Sequence, residues 1–177
     1  MLPLRMTPRR ATKRAQPEYD EQVRLFVLID WLAELHPGRA GDLLDVWATS
    51  NGGKRPNGEA GRMREAGQRK GVLDVECLVP RGNWHGLLIE MKSAVGSVTK
   101  EQADRIARLS ARSYSVHVAR SWQAAGHILC DYLGLPWPRN AEVQVELRLA
   151  ARAEERRAAR KSCGRARNAW TAAAARR

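Results

Sequence analysis

Between Pro17 and Leu35, apolar residues recur every three or four positions, the spacing that lines up side chains along one face of a helix. Pro17 favours a helix start and Pro37-Gly38 a helix end, so we expect a helix over residues 18–35. The apolar stripe is wide, which predicts a helix covered by its neighbours. Its members are Val23, Leu25, Phe26, Leu28, Ile29, Trp31, Leu32 and Leu35.

Shorter patterns predict the other elements. Strands are expected at residues 43–48, 72–79, 86–92 and 114–119, and helices at 59–69, 100–112, 122–133 and beyond Pro138. The loop 80–85 is short enough to join its two strands as an antiparallel hairpin. Thr99 followed by Gln102 is typical of a capping box at a helix start. The order of elements predicts an α/β fold with a mixed central sheet flanked by helices.

Charge is distributed unevenly along the 177 residues, whose net charge is +12. Residues 139–177 hold eleven basic and four acidic residues, and every charged residue in 1–17 is basic. We therefore divide the chain into a basic N-terminal arm (1–16), a domain of balanced charge (17–135) and a basic Arg/Ala-rich helix and tail (136–177). This pattern excludes an acidic solubilising protein and favours a polyanionic partner, most simply nucleic acid, or an anionic membrane surface.

Other classes of protein are excluded by cysteine usage and hydropathy. Cys77, Cys130 and Cys163 are scattered and odd in number, so we expect neither a disulfide framework nor a zinc site. No apolar run approaches the roughly 18 residues that a membrane-spanning helix needs. The N-terminus lacks the apolar region of a signal peptide. We therefore expect a cytoplasmic protein without a membrane partner.

Three charged residues in two neighbouring predicted strands are candidates for chemistry. Glu90 and Lys92 share one strand face, because side chains two positions apart point the same way. Asp74 is flanked by apolar residues in the preceding strand, and strand pairing would bring it toward Glu90. Two close carboxylates repel unless a proton or a cation lies between them, so Mg²⁺ or Mn²⁺ would fit there, and the same atoms suit phosphodiester hydrolysis. A buried ion pair without chemistry is the alternative explanation.

The region from Pro17 to Leu133 resembles the PD-(D/E)xK nuclease superfamily and, more closely, its VRR-NUC family of virus-type replication-repair nucleases. One departure is Leu73, since the family usually has a proline there, which shapes the strand entry and ligates nothing. The resemblance rests on matches in the same order along the chain. They are Glu21-Gln22, Trp31, Asn51-Gly52-Gly53-Lys54-Arg55, Ala60, Arg64, Gly67, Gly71-Val72, Asp74, Gly86-Leu87, Ile89-Glu90-Met91-Lys92, Gly96, Gln102, Tyr114, Ala125, Ile128 and Tyr132-Leu133.

The resemblance implies a restriction-endonuclease-like PD-(D/E)xK core and a metal-dependent nuclease. Asp74, Glu90 and the backbone carbonyl of Met91 would bind Mg²⁺ or Mn²⁺. Lys92 would be the catalytic lysine. The family's acid of the first helix would fall on Glu21, which also lies on the covered stripe.

Several assignments have simpler alternatives that the sequence leaves open. Glu21 is also a favourable charge in the first turn of a helix. Gln102 corresponds to the family's glutamine near the metal site, and it is also the capping partner of Thr99. Four basic residues are candidates for DNA binding, with solvated surface charge as the alternative. They are Lys54, Arg55, Arg62 and Arg64.

The resemblance also implies a biological role. We expect a DNA endonuclease that selects branched or junction DNA in replication, repair or recombination, and that acts as a homodimer with one site for each strand. The family points to a bacterial or phage-infected host cell. Two alternatives stay open: a noncatalytic DNA-binding protein that retains the fold, and a sequence-specific endonuclease of the restriction type.

Overall fold

The computed structural model of the chain describes residues 17–49 and 59–174. The helices are α1 (Pro17–Leu35), α2 (Ala40–Leu44), α3 (Glu59–Glu65), α4 (Lys100–Ser110), α5 (Trp122–Leu133) and α6 (Ala141–Ala174). The strands are β1 (Val46–Ala48), β2 (Val75–Cys77), β3 (Leu87–Met91) and β4 (Ser115–Ala119). No helix within these ranges combines the length and the apolar character needed to cross a bilayer.

The four strands form one sheet in the order β1-β2-β3-β4. The pairs β1–β2 and β2–β3 are antiparallel, and β3–β4 is parallel with α4 as its crossover. The prediction of a mixed sheet flanked by helices is therefore confirmed. β3 is a central strand, and all five of its side chains are buried.

The two faces of β3 meet different surroundings. Leu87, Ile89 and Met91 belong to the main apolar core, which they form together with residues of α1 and α5. The alternate positions place Glu90 on the other face, where Gln102 of α4 reaches it. The sheet therefore separates an apolar side, which supplies most of the stability, from a side that carries a buried charge.

Three predicted elements differ from the observed ones by more than two residues at one end. The predicted strand 43–48 is divided between α2 and β1. Asp42 of α2 accepts hydrogen bonds from Arg39 and Arg81, which hold the turn before β1 in helical form. The predicted strand 72–79 is shortened to β2. The predicted helix 59–69 ends at Glu65 and is followed by Gly67, whose φ of 99° a side chain would disfavour.

Helix α6 begins in the same core as the sheet. Ala141 and Val145 are fully buried against the body of the protein. Farther along, Arg148 lies over the ring of Trp31 at 5.4 Å and also pairs with Glu34 of α1. The first turns of α6 are therefore fixed to α1 by packing and by charge.

Candidate active site

Glu90 is the buried charge of the sheet, and its side chain is held by two partners. One oxygen, Oε1, lies 2.7 Å from Nζ of Lys92 on the same strand face. The same oxygen accepts a hydrogen bond from the side-chain amide of Gln102. The other oxygen, Oε2, is buried without a hydrogen-bond partner among the described residues. An ionised carboxylate oxygen without a partner is costly in a protein interior, so this atom calls for a proton or a cation.

Asp74 approaches Glu90 from the neighbouring strand. It directly precedes β2, and its Oδ2 accepts a hydrogen bond of 2.9 Å from the backbone N–H of Met91. In a continued ladder that N–H would donate to the backbone carbonyl of Leu73, the residue that the register of β2 and β3 would place opposite Met91. The carboxylate therefore takes the place of one backbone acceptor where the pairing of β2 and β3 ends. This explains why β2 is shorter than predicted and why the Asp74 side chain is held in place.

The two carboxyls influence each other's protonation. Burial raises the pKa of Glu90 to about 7, Lys92 opposes that rise by its hydrogen bond and charge, and the negative charge of Asp74 adds to it. Burial also raises the pKa of Asp74, against the opposing effect of the Met91 N–H. Two carboxyls this close cannot both stay ionised without cost, because their negative charges repel. The pair is therefore one coupled acidic site that a proton or a cation can occupy.

Lys92 is charged in this site. Burial works against its ammonium form, but the hydrogen bond and negative charge of Glu90, with smaller contributions from Glu18 and Asp74, raise its pKa above the usual value. Its side chain is only 11% exposed. The structure therefore brings Asp74, Glu90 and Lys92 together, as the strand pattern predicts.

Gln102 has both of the roles that the sequence left open: it caps a helix and it lies at the acidic cluster. Its backbone N–H donates to the Thr99 hydroxyl, and its side-chain oxygen accepts from the Thr99 backbone N–H, which completes a capping box at α4. Its amide nitrogen donates to Glu90. The start of α4 is thereby linked to the buried carboxylate.

The structure places Glu18, and not Glu21, in contact with the backbone next to Lys92, and the catalytic role of Glu21 stays a prediction. Glu21 Oε2 accepts a 2.8 Å hydrogen bond from the backbone N–H of Trp122, at the start of α5, and Oε1 lies 3.8 Å from Arg24. Glu18 Oε1 instead accepts a 3.1 Å hydrogen bond from the backbone N–H of Ser93, the residue after Lys92. Glu18 and Glu21 lie on one face of the helix, because positions three apart are neighbours there, so the sequence pattern allows either residue. The rotation of α1 about its axis decides which of them reaches the backbone after Lys92.

The loop after Lys92 is braced by Arg120, which no sequence pattern singles out. The Arg120 guanidinium donates to the carbonyls of Ser93, Ala94 and Gly96 at 3.1, 3.4 and 2.7 Å. A Cβ placed at Gly96 would lie 3.1 Å from Glu18 Oε1 and 3.4 Å from Lys92 Cδ, so the loop backbone closes over these side chains. Arg120 follows an edge strand and is exposed, which makes it resemble any surface arginine in the sequence.

Two of the four predicted DNA-binding residues, Arg62 and Arg64, lie among the described residues, and neither is part of this cluster. Arg62 and Arg64 lie on α3 with exposed side chains, and their role stays a prediction. Lys54 and Arg55 lie outside the described residues.

The donor atoms fit a hard divalent cation. Asp74 and Glu90 Oε2 provide carboxylate oxygens, and Mg²⁺ is commonly bound by one or two carboxylates together with water and substrate phosphate. Within residues 17–49 and 59–174, no group of three or more His, Cys, Asp or Glu side chains is arranged to hold an ion alone. The pair therefore suits an ion that keeps open coordination positions, and not a closed structural zinc site.

A solved structure of a VRR_NUC domain protein is similar to this chain. The two share a TM-score of 0.51 and 22% sequence identity, over 70% of this chain and 93% of the other. No protein-family profile matches the sequence, and no curated protein matches it. A likeness at this identity establishes the fold alone. The chain therefore has a fold similar to that of a VRR_NUC domain protein.

Proposed function

We propose that the protein is a Mg²⁺- or Mn²⁺-dependent DNA endonuclease. The observation that carries this proposal is the meeting of Asp74 and Glu90, with one buried oxygen left without a partner, beside the charged Lys92. An acid pair with an adjacent ammonium suits phosphodiester hydrolysis, in which a bound divalent ion polarises the phosphate and lowers the pKa of a water. A purely structural ion pair would not need the second carboxylate.

Each residue of the cluster has a distinct task in this proposal. Asp74, Glu90 and the backbone carbonyl of Met91 hold the cation. Lys92 holds a positive charge next to the reacting phosphate and offsets the negative charge that develops there. Gln102 fixes the direction of Glu90 through its hydrogen bond, so that the free oxygen points away from Lys92. Glu18 fixes the backbone that follows Lys92.

The more specific form of the proposal concerns the substrate. The net charge of +12 supplies general attraction to phosphate backbones but does not read sequence. We therefore propose selection of branched or junction DNA by shape, and a homodimer that places one site on each of two strands. The setting we propose is replication, repair or recombination in the cytoplasm of a bacterial or phage-infected cell.

The test is cleavage of supercoiled plasmid, linear duplex, flap and four-way-junction DNA with Mn²⁺ or Mg²⁺. Asp74→Asn and Lys92→Met are each expected to lower the rate by at least about a hundredfold while the protein stays folded. Asp104→Asn and Lys100→Met make the same chemical changes at exposed positions of α4 and should cleave like the unchanged protein. Equal rates for Asp74→Asn and Asp104→Asn would refute the proposal, and tight binding without cutting would favour a noncatalytic DNA-binding protein.

A further inference from the structure

Helix α6 consists of an anchored part and a distal part. In the anchored part, Arg24 of α1 pairs with Glu146 at 2.6 Å, and Arg152 pairs with Asp30 at 2.7 Å. These pairs, together with the Arg148–Glu34 pair, occupy the stretch where α6 lies on α1. From residue 154 to residue 163 every side chain is exposed, so the helix has left the body of the protein there. We call residues 154–163 the distal segment of α6.

A row of arginines runs from the anchored part into the distal segment. Arg148, Arg152, Arg156 and Arg160 are spaced four positions apart and therefore follow one side of the helix. The first two pair with acids of α1. Arg156 and Arg160 continue the row past the last of those acids.

The distal segment carries cations that the body does not neutralise. Its basic residues are Arg156, Arg157, Arg160 and Lys161, against the two acids at its start, Glu154 and Glu155. In the part of the chain that the structure describes, no acidic side chain forms an ion pair with any of them. The helix continues to Ala174 and contains Arg165 and Arg167 as well. Beyond Arg152 it is roughly 30 Å long at 1.5 Å per residue, a length comparable to a turn of DNA.

We propose that the distal segment of α6 is a second DNA-binding surface, which grips the phosphate backbone outside the catalytic cluster without reading sequence. This inference rests on the proposed function and adds to it the place where the substrate is held. The ion pairs with α1 are the mechanical link, since they fix the base of the segment to the domain that carries Asp74 and Glu90. DNA bound there is kept close to the site between encounters, which raises its local concentration.

The composition of the segment favours DNA over other partners. Residues 154–163 contain no large apolar side chain, and a coiled coil with a second copy needs an apolar seam. A helix that lies on a membrane surface likewise needs large apolar residues on one face. Exposed arginines without acidic partners match a row of phosphates, where each contact releases a counterion.

The experiment measures binding of the full chain to a DNA duplex of about 30 base pairs, in EDTA, over a series of salt concentrations. The double variant Arg156→Gln/Arg160→Gln is compared with Arg108→Gln/Arg112→Gln, which removes the same charge from exposed positions at the end of α4. For the distal variant, the slope of log K against log salt should fall by about 2, equally on duplexes of unrelated sequence. The control should keep the slope of the unchanged protein.

Two results would overturn the inference: an unchanged slope in the distal variant, or an equal loss in both variants, which would mean that only total charge matters. A change from dimer to monomer in sedimentation, without a change in slope, would also overturn it and assign the segment to a second copy. Because binding is measured in EDTA, it is independent of cleavage. A protein that binds through the segment but never cuts DNA would refute the proposed function alone.

Discussion

The side-chain amide of Gln102 donates to the buried carboxylate of Glu90 while the same residue completes a capping box with Thr99. One residue therefore both starts α4 and orients the acid on β3. The two tasks use different atoms, since the cap uses the backbone N–H and the amide oxygen, and the link to Glu90 uses the amide nitrogen. Substitutions can therefore separate them.

Gln102→Glu should lower cleavage about tenfold or more while α4 keeps its capping box. A glutamate retains the oxygen that accepts from the Thr99 backbone, but it replaces the donor to Glu90 with a second negative charge. Cleavage rates and thermal denaturation of the variant measure the two effects.

Thr99→Ala should have the opposite effects on cleavage and stability. It removes the hydroxyl that caps α4 and should lower the free energy of unfolding by about 1 kcal/mol, with cleavage near that of the unchanged protein. If Thr99→Ala lost activity while Gln102→Glu kept it, the hydrogen bond to Glu90 would have no part in function.

Glu18 and Glu21 should respond differently to removal. Glu18→Ala should lower cleavage about tenfold, because Ser93 loses the acceptor that positions the backbone after Lys92. Glu21→Ala should instead lower the free energy of unfolding by about 1 kcal/mol, because the first N–H of α5 loses a charged acceptor. The same cleavage and denaturation assays apply. A folded Glu21→Ala protein that no longer cuts DNA would support the sequence-based assignment of Glu21 to the active site.

Arg120 is predicted to act on cleavage through the loop that it braces. Arg120→Ala should lower kcat about tenfold with a small change in melting temperature, because the guanidinium is exposed but holds three loop carbonyls. Arg120→Lys should restore part of kcat, since an ammonium can still bind a carbonyl. Arg112→Ala removes an exposed arginine at the end of α4 and serves as control. Identical kinetics for the Arg120 and Arg112 variants would contradict the prediction.

Stabilisation by Mn²⁺ should depend on pH through Glu90. Burial raises the pKa of Glu90 in the metal-free protein to about 7, from an ordinary value of 4.5. The stability that this proton contributes is present below pH 4.5 and is lost as the pH rises through about 7. A cation must displace that proton, so it binds better where the carboxyl is already ionised.

At about pH 8, Mn²⁺ at roughly 100 times its Kd should raise the melting temperature by about 5–10 °C, and at about pH 5.5 the rise should be much smaller. Asp74→Asn should abolish the difference. An equal rise at both pH values would mean that the ion binds elsewhere.

Local patterns were sufficient to predict much of the fold. The helix predicted at residues 122–133 has the observed bounds of α5, because Ser121 caps its start and Gly134 ends it with a φ of 66°. The convergence of Asp74, Glu90 and Lys92 also followed from side-chain alternation in two adjacent strands. These features depend on neighbours that are close in sequence or in one sheet.

The features that the sequence did not predict depend on contacts between distant residues. Glu18 and Glu21 share one helix face, and only the packing of α1 against the sheet and α5 decides which acid reaches Ser93. Likewise, Asp42 favours a helical turn because Arg81, far along the chain, binds it. The residues next to Arg120 in the sequence do not indicate its contacts with the loop after β3. Single-sequence patterns contain none of this information.

The most direct test of the central claim is an anomalous difference map from crystals grown with Mn²⁺. We predict a peak bound by both the Asp74 and Glu90 carboxylates, with Lys92 beside it, and its loss in Asp74→Asn crystals. A protein that cuts DNA with Mn²⁺ while its anomalous peak lies away from both carboxylates would contradict this account.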